Sequence, residues 1–207
     1  MKNEIECYDA GSKPFGISYG NWTTKWWQWA ISIPTLKNPM LDKTGENYNI
    51  GQPRPDVVCM LGGVYGDQDK NHPTRKITLR KNISILFPVL NCEANSIEYP
   101  NLKTEEDLRK HVCDDIKSVV KKDCFINDTR IVPELVKSDP EMFDISVPRN
   151  NVLGIEGGQT IKAYAEGFYV FIKGGCLSPG NHILDFEGSC EFGRLCAGAM
   201  YELHIIE

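Results

Sequence analysis

The sequence lacks the long apolar runs and the basic clusters that would place it in a membrane or on nucleic acid. Its longest apolar runs, residues 84–90 and 168–172, are far shorter than the roughly 18 residues of a transmembrane helix. Lysine and arginine form no cluster with interleaved aromatic residues, and the net charge is -5. We therefore expect no transmembrane segment and no nucleic-acid partner.

Short catalytic and metal-binding motifs are also missing. The chain contains no G-x-S-x-G elbow, no phosphate-binding loop and no dinucleotide fingerprint, and its cysteines show neither C-x-x-C nor zinc-ribbon spacing. Two carboxylates placed for glycoside hydrolysis would leave no such trace, because they need only be near each other in the folded chain. The sequence therefore leaves open whether the protein is an enzyme.

Cysteine is the most informative residue type that is present. An even number of cysteines without metal-ligand spacing favours disulfide bonds over thiols in a reducing cell. Sequons that begin at Asn21, Asn82 and Asn127 agree with export and with a glycoprotein. The N-terminus shows no signal-peptide pattern, so we expect that a signal peptide has been removed from a secreted or cell-surface protein. The cysteines predicted to form disulfides are Cys7, Cys59, Cys92, Cys113, Cys124, Cys176, Cys190 and Cys196.

Hydrophobic spacing predicts a tryptophan-rich helix near the N-terminus. Over residues 19–33, Trp22, Trp26 and Trp29 recur at helical spacing, and Asn21 is a candidate cap. Further apolar residues lie on the other side of this helix, so it is expected to be covered on more than one face.

A second helix is predicted over residues 101–122. Thr104 is its cap, acidic residues follow at the positive end of the helix dipole, and lysines lie at the negative end. Its predicted buried stripe is Leu108, Val112, Ile116 and Val119 or Val120.

The rest of the chain predicts a β-rich fold. Roughly nine short strands with turn signals between them suit a two-sheet β-sandwich, jelly-roll-like and disulfide-stapled, as a single domain over residues 1–207. The predicted strands are residues 57–61, 75–80, 84–91, 129–136, 142–147, 160–164, 167–173, 182–187 and 199–206.

Several motifs resemble one family of secreted proteins. They occur in order over most of the chain: Trp22-Thr-Thr-Lys-Trp-Trp-Gln-Trp-Ala, Ile33-Pro, Asn38-Pro, Asp42-Lys-Thr-Gly, Gly51-Gln, Leu86-Phe-Pro-Val, Asn150-Asn-Val-Leu-Gly and Leu177-Ser-Pro-Gly-Asn-His. The chain thus resembles an uncharacterised family of secreted bacterial and archaeal hypothetical proteins with a WWQWA motif near the N-terminus. The resemblance implies export and a bond between Cys92 and Cys113, and it supplies no catalytic residue.

Two segments contain candidate ligand-binding residues. Trp27 lies off the main stripe of the first helix, where an exposed ring could stack on a sugar, although the spacing of the four tryptophans favours a protein core. Tyr65 lies in the Gly-rich loop 62–71, which also contains a D-x-D-x-N pattern formed by Asp67, Asp69 and Asn71. That alternation can bind calcium, the one cofactor candidate, although the incomplete motif favours an exposed hairpin tip.

These features favour a secreted, non-catalytic module that binds a carbohydrate or another small ligand through sandwich loops and the aromatic helix. One alternative is a secreted glycan-acting hydrolase with two carboxylates about 5 to 9.5 Å apart. Another is a structural envelope protein with a large apolar patch. The oligomeric state is not predicted.

Overall fold

The computed structural model describes residues 5–64, 72–191 and 196–207. The protein is mainly β, with 43% strand and 18% helix, which confirms the predicted class. The described ranges contain helices α1 (Tyr19–Ser32) and α2 (Glu105–Lys117) and strands β1 (Val58–Met60), β2 (Thr74–Arg80), β3 (Ser84–Asn95), β4 (Val119–Ile126), β5 (Thr129–Arg130), β6 (Glu134–Val147), β7 (Gln159–Ile172), β8 (Gly180–Cys190) and β9 (Cys196–Ile206).

These strands form two sheets, as predicted. The four-stranded sheet has the order β1-β3-β7-β6, and the five-stranded sheet has the order β2-β9-β8-β4-β5. The pairs β1–β3 and β2–β9 are parallel, and the other described pairs are antiparallel. Both sheets contribute to one hydrophobic cluster, where the rings of Phe87 and Phe186 have centroids 4.7 Å apart. The sheets therefore share a core.

Helix α1 lies on the other face of the four-stranded sheet, where it packs mainly against β6. Its cap is Ser18, whose Oγ accepts a hydrogen bond from Asn21 N at 3.1 Å. Asn21 lies inside the helix and donates its side-chain amide to Asp139 O at 2.9 Å. The helix was thus predicted correctly and its cap was not. No helix in the described ranges is long and apolar enough to cross a membrane.

The indole groups of α1 connect it to three separate loop segments. Each of three indole Nε1 atoms donates a hydrogen bond of 2.7 to 2.9 Å to a backbone carbonyl. Since all three rings are at most 3% exposed, the bonded polar groups are shielded from water. The donor and acceptor pairs are Trp22 and Pro14, Trp26 and Leu61, and Trp29 and Ile50.

Helix α2 begins as predicted and ends five residues early. Thr104 forms a capping box with Asp107, which confirms the predicted start. The predicted continuation to residue 122 is wrong, because Ser118 ends the helix and the next residues form β4 against β8. The two valines that follow Ser118 suit a strand at least as well as a helix, so pairing with β8 decides their conformation.

Strand boundaries also differ from the prediction. The predicted strand 129–136 is divided between β5 and β6, whereas 160–164 and 167–173 are parts of one long strand, β7. Gly167 therefore lies within β7 and does not form a turn between two strands. A Cβ atom at this position would lie 2.4 Å from Cβ of Asn91, so glycine permits the close approach of β3. The sequence also predicts an edge or a bulge at Pro88, which has no backbone N–H to donate, and a register shift between Pro88 and Leu90 confirms the irregularity.

We expect replacement of Trp26 to destabilise the fold strongly. Trp26→Ala should lower the free energy of unfolding by about 3 to 5 kcal/mol, because it leaves a cavity and an unpaired Leu61 carbonyl. Urea unfolding followed by circular dichroism measures the loss. Leu36→Ala is the matched control, since Leu36 is 92% exposed, and should change stability by less than about 0.5 kcal/mol. Equal losses of unfolding free energy in the two variants would show that Trp26 does not stabilise the core in this way.

Candidate functional site

The predicted aromatic platform is not present on α1. Trp27 is only 6% exposed, and its ring meets that of Trp26 edge to face with centroids 5.1 Å apart. The core alternative therefore describes Trp27 correctly, because the sheet and loops cover α1 on several sides. No tryptophan ring in the chain is exposed enough to stack on a sugar.

The predicted calcium site cannot be compared with the fold. Tyr65, Asp67, Asp69 and Asn71 all lie outside the described residues, so their roles stay predictions. Elsewhere, within residues 5–64, 72–191 and 196–207, no group of three or more histidine, cysteine, aspartate or glutamate side chains is arranged to hold a metal ion.

The predicted disulfide framework is absent from the structure, whose described ranges include every cysteine position. The expected bond between Cys92 and Cys113 is absent too. Sγ of Cys92 lies 3.6 Å from Asp115 Oδ2, whereas Sγ of Cys113 lies 3.2 Å from Glu166 Oε2. The two thiols therefore donate to different carboxylates instead of bonding to each other.

The best candidate ligand site is a groove at the end of the molecule where β2 ends and β3 begins. It has a volume of about 270 Å³ and lies between the loop before β1 and the turn from β2 to β3. The groove is lined by Tyr48, Asn49, Gln52, Pro55, Asp56, Val58, Cys59, Thr78, Leu79, Arg80, Asn82 and Ile83.

Two side chains make the wall of the groove rigid. Gln52 donates its amide to the carbonyls of Tyr48 at 2.6 Å and Met60 at 2.8 Å, and its Oε1 accepts from Met60 N at 2.8 Å. The Tyr48 hydroxyl donates to Thr78 O at 2.8 Å, which fixes the ring against β2. The floor is apolar, since Val58 and Leu79 are 1% and 7% exposed.

The polar rim of the groove contains side chains without protein partners. Asn49, Arg80 and Asn82 are exposed, and their side chains make no hydrogen bond or ion pair with any other described residue. Asp56 is the one carboxylate of the groove. Arg54 holds it in a two-pronged pair at 3.0 and 3.1 Å, and the hydrogen bond from Arg54 lowers the pKa of Asp56.

A second depression of about 330 Å³ lies between α1 and β6 and is a weaker candidate. Lys25 has no partner among the described residues, but the other polar side chains of this depression are already engaged. Asn21 donates to Asp139 O and Gln28 to Asp144 O, both at 2.9 Å, while Lys162 lies 3.8 Å from the Asp144 carboxylate. A ligand there would have to replace these contacts, whereas a ligand in the groove would not.

Glu93, which is buried, and Glu98, which is half-buried, form a carboxyl pair at the opposite end of β3 from the groove. Glu93 is 6% exposed, and Asn95 Nδ2 donates to Glu93 Oε1 and to Glu98 Oε2, each at 3.2 Å. Burial and the adjacent Glu98 raise the pKa of Glu93 well above its ordinary value, and burial also raises that of Glu98. This environment therefore favours the protonated form of Glu93.

A thiol, a phenol and a carboxylate meet between α2 and β7. Glu166, which is 5% exposed, accepts hydrogen bonds of 3.2 Å from Tyr164 Oη and Cys113 Sγ. Burial and the bond to Glu166 raise the pKa of the Cys113 thiol. A thiol of raised pKa is a weak nucleophile, so this arrangement stabilises the helix–sheet contact and does not activate sulfur for catalysis.

Comparisons of the chain with protein-family models, with curated proteins and with solved structures found no match. The resemblance to secreted hypothetical proteins therefore stays a prediction.

Sequence reasoning missed the groove because its walls come from two segments, 48–59 and 78–83, that are separated along the chain by residues 60–77. Nothing in either segment marks it as part of a site. One weak signal was available. Asn82 stands in a predicted turn within a sequon, which indicated an exposed amide, and the structure places it on the groove rim. Glu93 lay beyond the predicted end of its strand, at residue 91.

We expect Glu93→Gln to make stability less sensitive to pH. Because the folded-state pKa of Glu93 is raised, its stabilising effect is complete below the unfolded-state pKa of about 4.3 and is lost as pH rises through the folded-state pKa. The variant should therefore gain stability over the wild type between pH 5 and pH 8, by on the order of 1 kcal/mol per pH unit.

Urea unfolding at pH 5, 6, 7 and 8 measures this difference. Glu156→Gln is the control, since Glu156 is exposed and makes no side-chain contact with another described residue, and its pH profile should follow that of the wild type. A constant difference between Glu93→Gln and the wild type across the series would show that Glu93 does not titrate in this way.

Proposed function

We propose that the protein is a non-catalytic binding module whose groove holds a carbohydrate or a similarly polar small ligand. One observation carries this proposal. Asn49, Arg80 and Asn82 offer unpartnered polar groups around an apolar floor in a cavity of about 270 Å³. Small-molecule sites commonly combine an apolar lining with a few convergent polar groups, and this volume is near their lower limit.

The chemistry of the rim suits hydroxyl groups. Amide side chains such as Asn49 and Asn82 donate and accept hydrogen bonds, and a sugar hydroxyl does both. Arg80 only donates, so it favours an oxygen acceptor or an anionic substituent on the ligand. Tyr48 is half-buried and held by its hydroxyl, so its ring can contact the apolar face of a sugar ring without losing much conformational freedom.

Binding is favoured over hydrolysis because the groove has a single carboxylate. A glycosidase needs two, and Asp56 is already paired with Arg54. The pair of Glu93 and Glu98 cannot supply the second one. Ten residues of extended chain separate Ile83 from Glu93, which corresponds to about 33 Å. The groove therefore offers the hydrolase alternative no pair of carboxylates.

We further infer a two-sheet sandwich and an exported protein. The shared core between the two sheets supports the sandwich. The parallel pairs β1–β3 and β2–β9 depart from an all-antiparallel jelly roll, so the likeness to that fold is limited. Export and glycosylation are supported by the sequons alone, of which those at Asn21 and Asn127 lie outside the groove.

A glycan-array screen followed by isothermal titration calorimetry on each hit tests the proposed function. Asn82→Ala and Arg80→Ala should each weaken binding of a hit by about tenfold or more, because each removes a hydrogen bond of about 1 to 3 kcal/mol. Asn150→Ala is the matched control. Asn150 is exposed outside the groove and should leave affinity unchanged.

Three outcomes would contradict the proposal. If no glycan on the array bound the protein, the groove would not bind the proposed class of ligand. Equal losses of affinity in Asn82→Ala and Asn150→Ala would show that the ligand binds outside the groove. Release of reducing sugar from a bound glycan would show catalysis and favour the hydrolase alternative.

A further inference from the structure

The N-terminal strap, defined as residues 5–9, runs antiparallel to the end of β7. Tyr8 N donates to Phe171 O and Lys173 N donates to Glu6 O, both at 2.9 Å. The Lys173 ammonium also lies 3.1 Å from the Glu6 carboxylate. The strap is therefore held in register by backbone hydrogen bonds and an ion pair.

This register brings two thiols to the same place. Cys7 is paired with Ile172, and both side chains face the core shared by the sheets, since opposite residues of an antiparallel pair point to one face. Cys176 follows four residues after Ile172, in the turn that leads to β8. Its Sγ lies 3.0 Å from Lys173 O and 3.8 Å from Glu6 O. The latter oxygen belongs to the peptide group that joins Glu6 to Cys7.

The proximity of the two thiols also affects the pKa of Cys7. Burial raises the pKa of Cys7 to about 11, and the neighbouring Cys176 is its second cause. Both cysteines are partly exposed, and Cys176 lies in a turn, where a small oxidant in solution can reach it. By contrast Cys92 and Cys190, which both contact Asp115, are only 4% and 3% exposed.

We propose that Cys7 and Cys176 form a redox-dependent disulfide bond that closes the strap onto the turn after β7. Two features of the fold favour this bond. The strap is already held in register with β7, and Cys176 lies in a turn with Gly174 and Gly175, which can adjust more easily than a strand. A bond between residues so far apart in sequence would also restrict the unfolded chain over most of its length.

The oxidant is a low-molecular-weight disulfide such as oxidised glutathione. The Cys176 thiolate attacks one glutathione sulfur, which breaks that disulfide and releases one glutathione thiolate. Cys7 then attacks Sγ of Cys176 in the mixed disulfide and releases the second. The protein thus loses two electrons and two protons, and one glutathione disulfide becomes two thiols. Because burial raises both thiol pKa values, the reaction should be faster at pH 8.5 than at pH 7.

Cys124 is the competing partner for Cys7. It lies on β4 in the same core, and Cys7 contributes to the rise of its pKa after burial. Cys124 is 0% exposed, so the oxidant cannot reach it without opening the core. A bond between Cys7 and Cys124 is therefore the outcome that most directly contradicts the proposal.

The experiment maps disulfides in the full chain. The protein is incubated at pH 8.5 with reduced or oxidised glutathione, remaining thiols are alkylated, and unreduced digests are analysed by mass spectrometry. We expect a peptide pair that joins Cys7 to Cys176 only in the oxidised sample. We also expect a rise in Tm of roughly 5 °C or more, as is typical of a bond that closes a long loop.

Cysteine-to-serine variants test whether this bond causes the rise in Tm. Cys7→Ser and Cys176→Ser should each abolish the rise in Tm, and the double variant should match either one. Tm values of the reduced variants show whether they fold. Cys113→Ser is the control, because Cys113 is partly exposed on α2, and it should keep the oxidative rise. Alkylated Cys7 in the oxidised sample, or a bond from Cys7 to another cysteine, would overturn the proposal.

Discussion

The hydrogen bonds from the indole groups of α1 are the interactions on which the rest of the structure depends. Each of the buried donors reaches the carbonyl of a different loop segment, and an unpaired carbonyl in that apolar environment would cost about 1 to 3 kcal/mol. The bond from Trp29 to Ile50 fixes the chain between Tyr48 and Gln52, which form the groove wall. The helix that sequence patterns suggested as a binding surface is thus buried, and it holds in place the loop that lines the groove.

The two ends of β3 use polar residues in opposite ways. Near its start, Arg80 and Asn82 remain open to solvent around the groove. Beyond its middle, Glu93 and Asn95 are buried and hydrogen-bonded among protein groups. Because desolvated polar groups need partners whereas exposed ones do not, the first set is available to a ligand and the second holds the turn that follows β3.

Local patterns predicted the elements whose cause is local. The cap at Thr104, the irregularity at Pro88 and the tryptophan helix each follow from residues within a few positions of one another. The end of α2 did not, because the valines after Ser118 continue its apolar stripe and only pairing with β8 makes them a strand. The continuity of β7 through Gly167 depends on how closely β3 approaches, and the groove depends on loop and strand segments that meet only in the fold. Such long-range contacts leave no periodicity in one sequence.

The positions of the carboxylates favour ligand binding over catalysis. General acid catalysis by a carboxyl group requires a raised pKa and access to the substrate, since the proton must be transferred to a bound group. Here the raised pKa values belong to Glu93 and Glu98, which do not line the groove, whereas Asp56, which borders the groove, is held ionised by Arg54. No described carboxyl group at the groove therefore combines both properties. The open donors of the groove can hold an oxygen-rich ligand, but they include no group able to protonate it near neutral pH, so binding is the chemistry that this geometry supports.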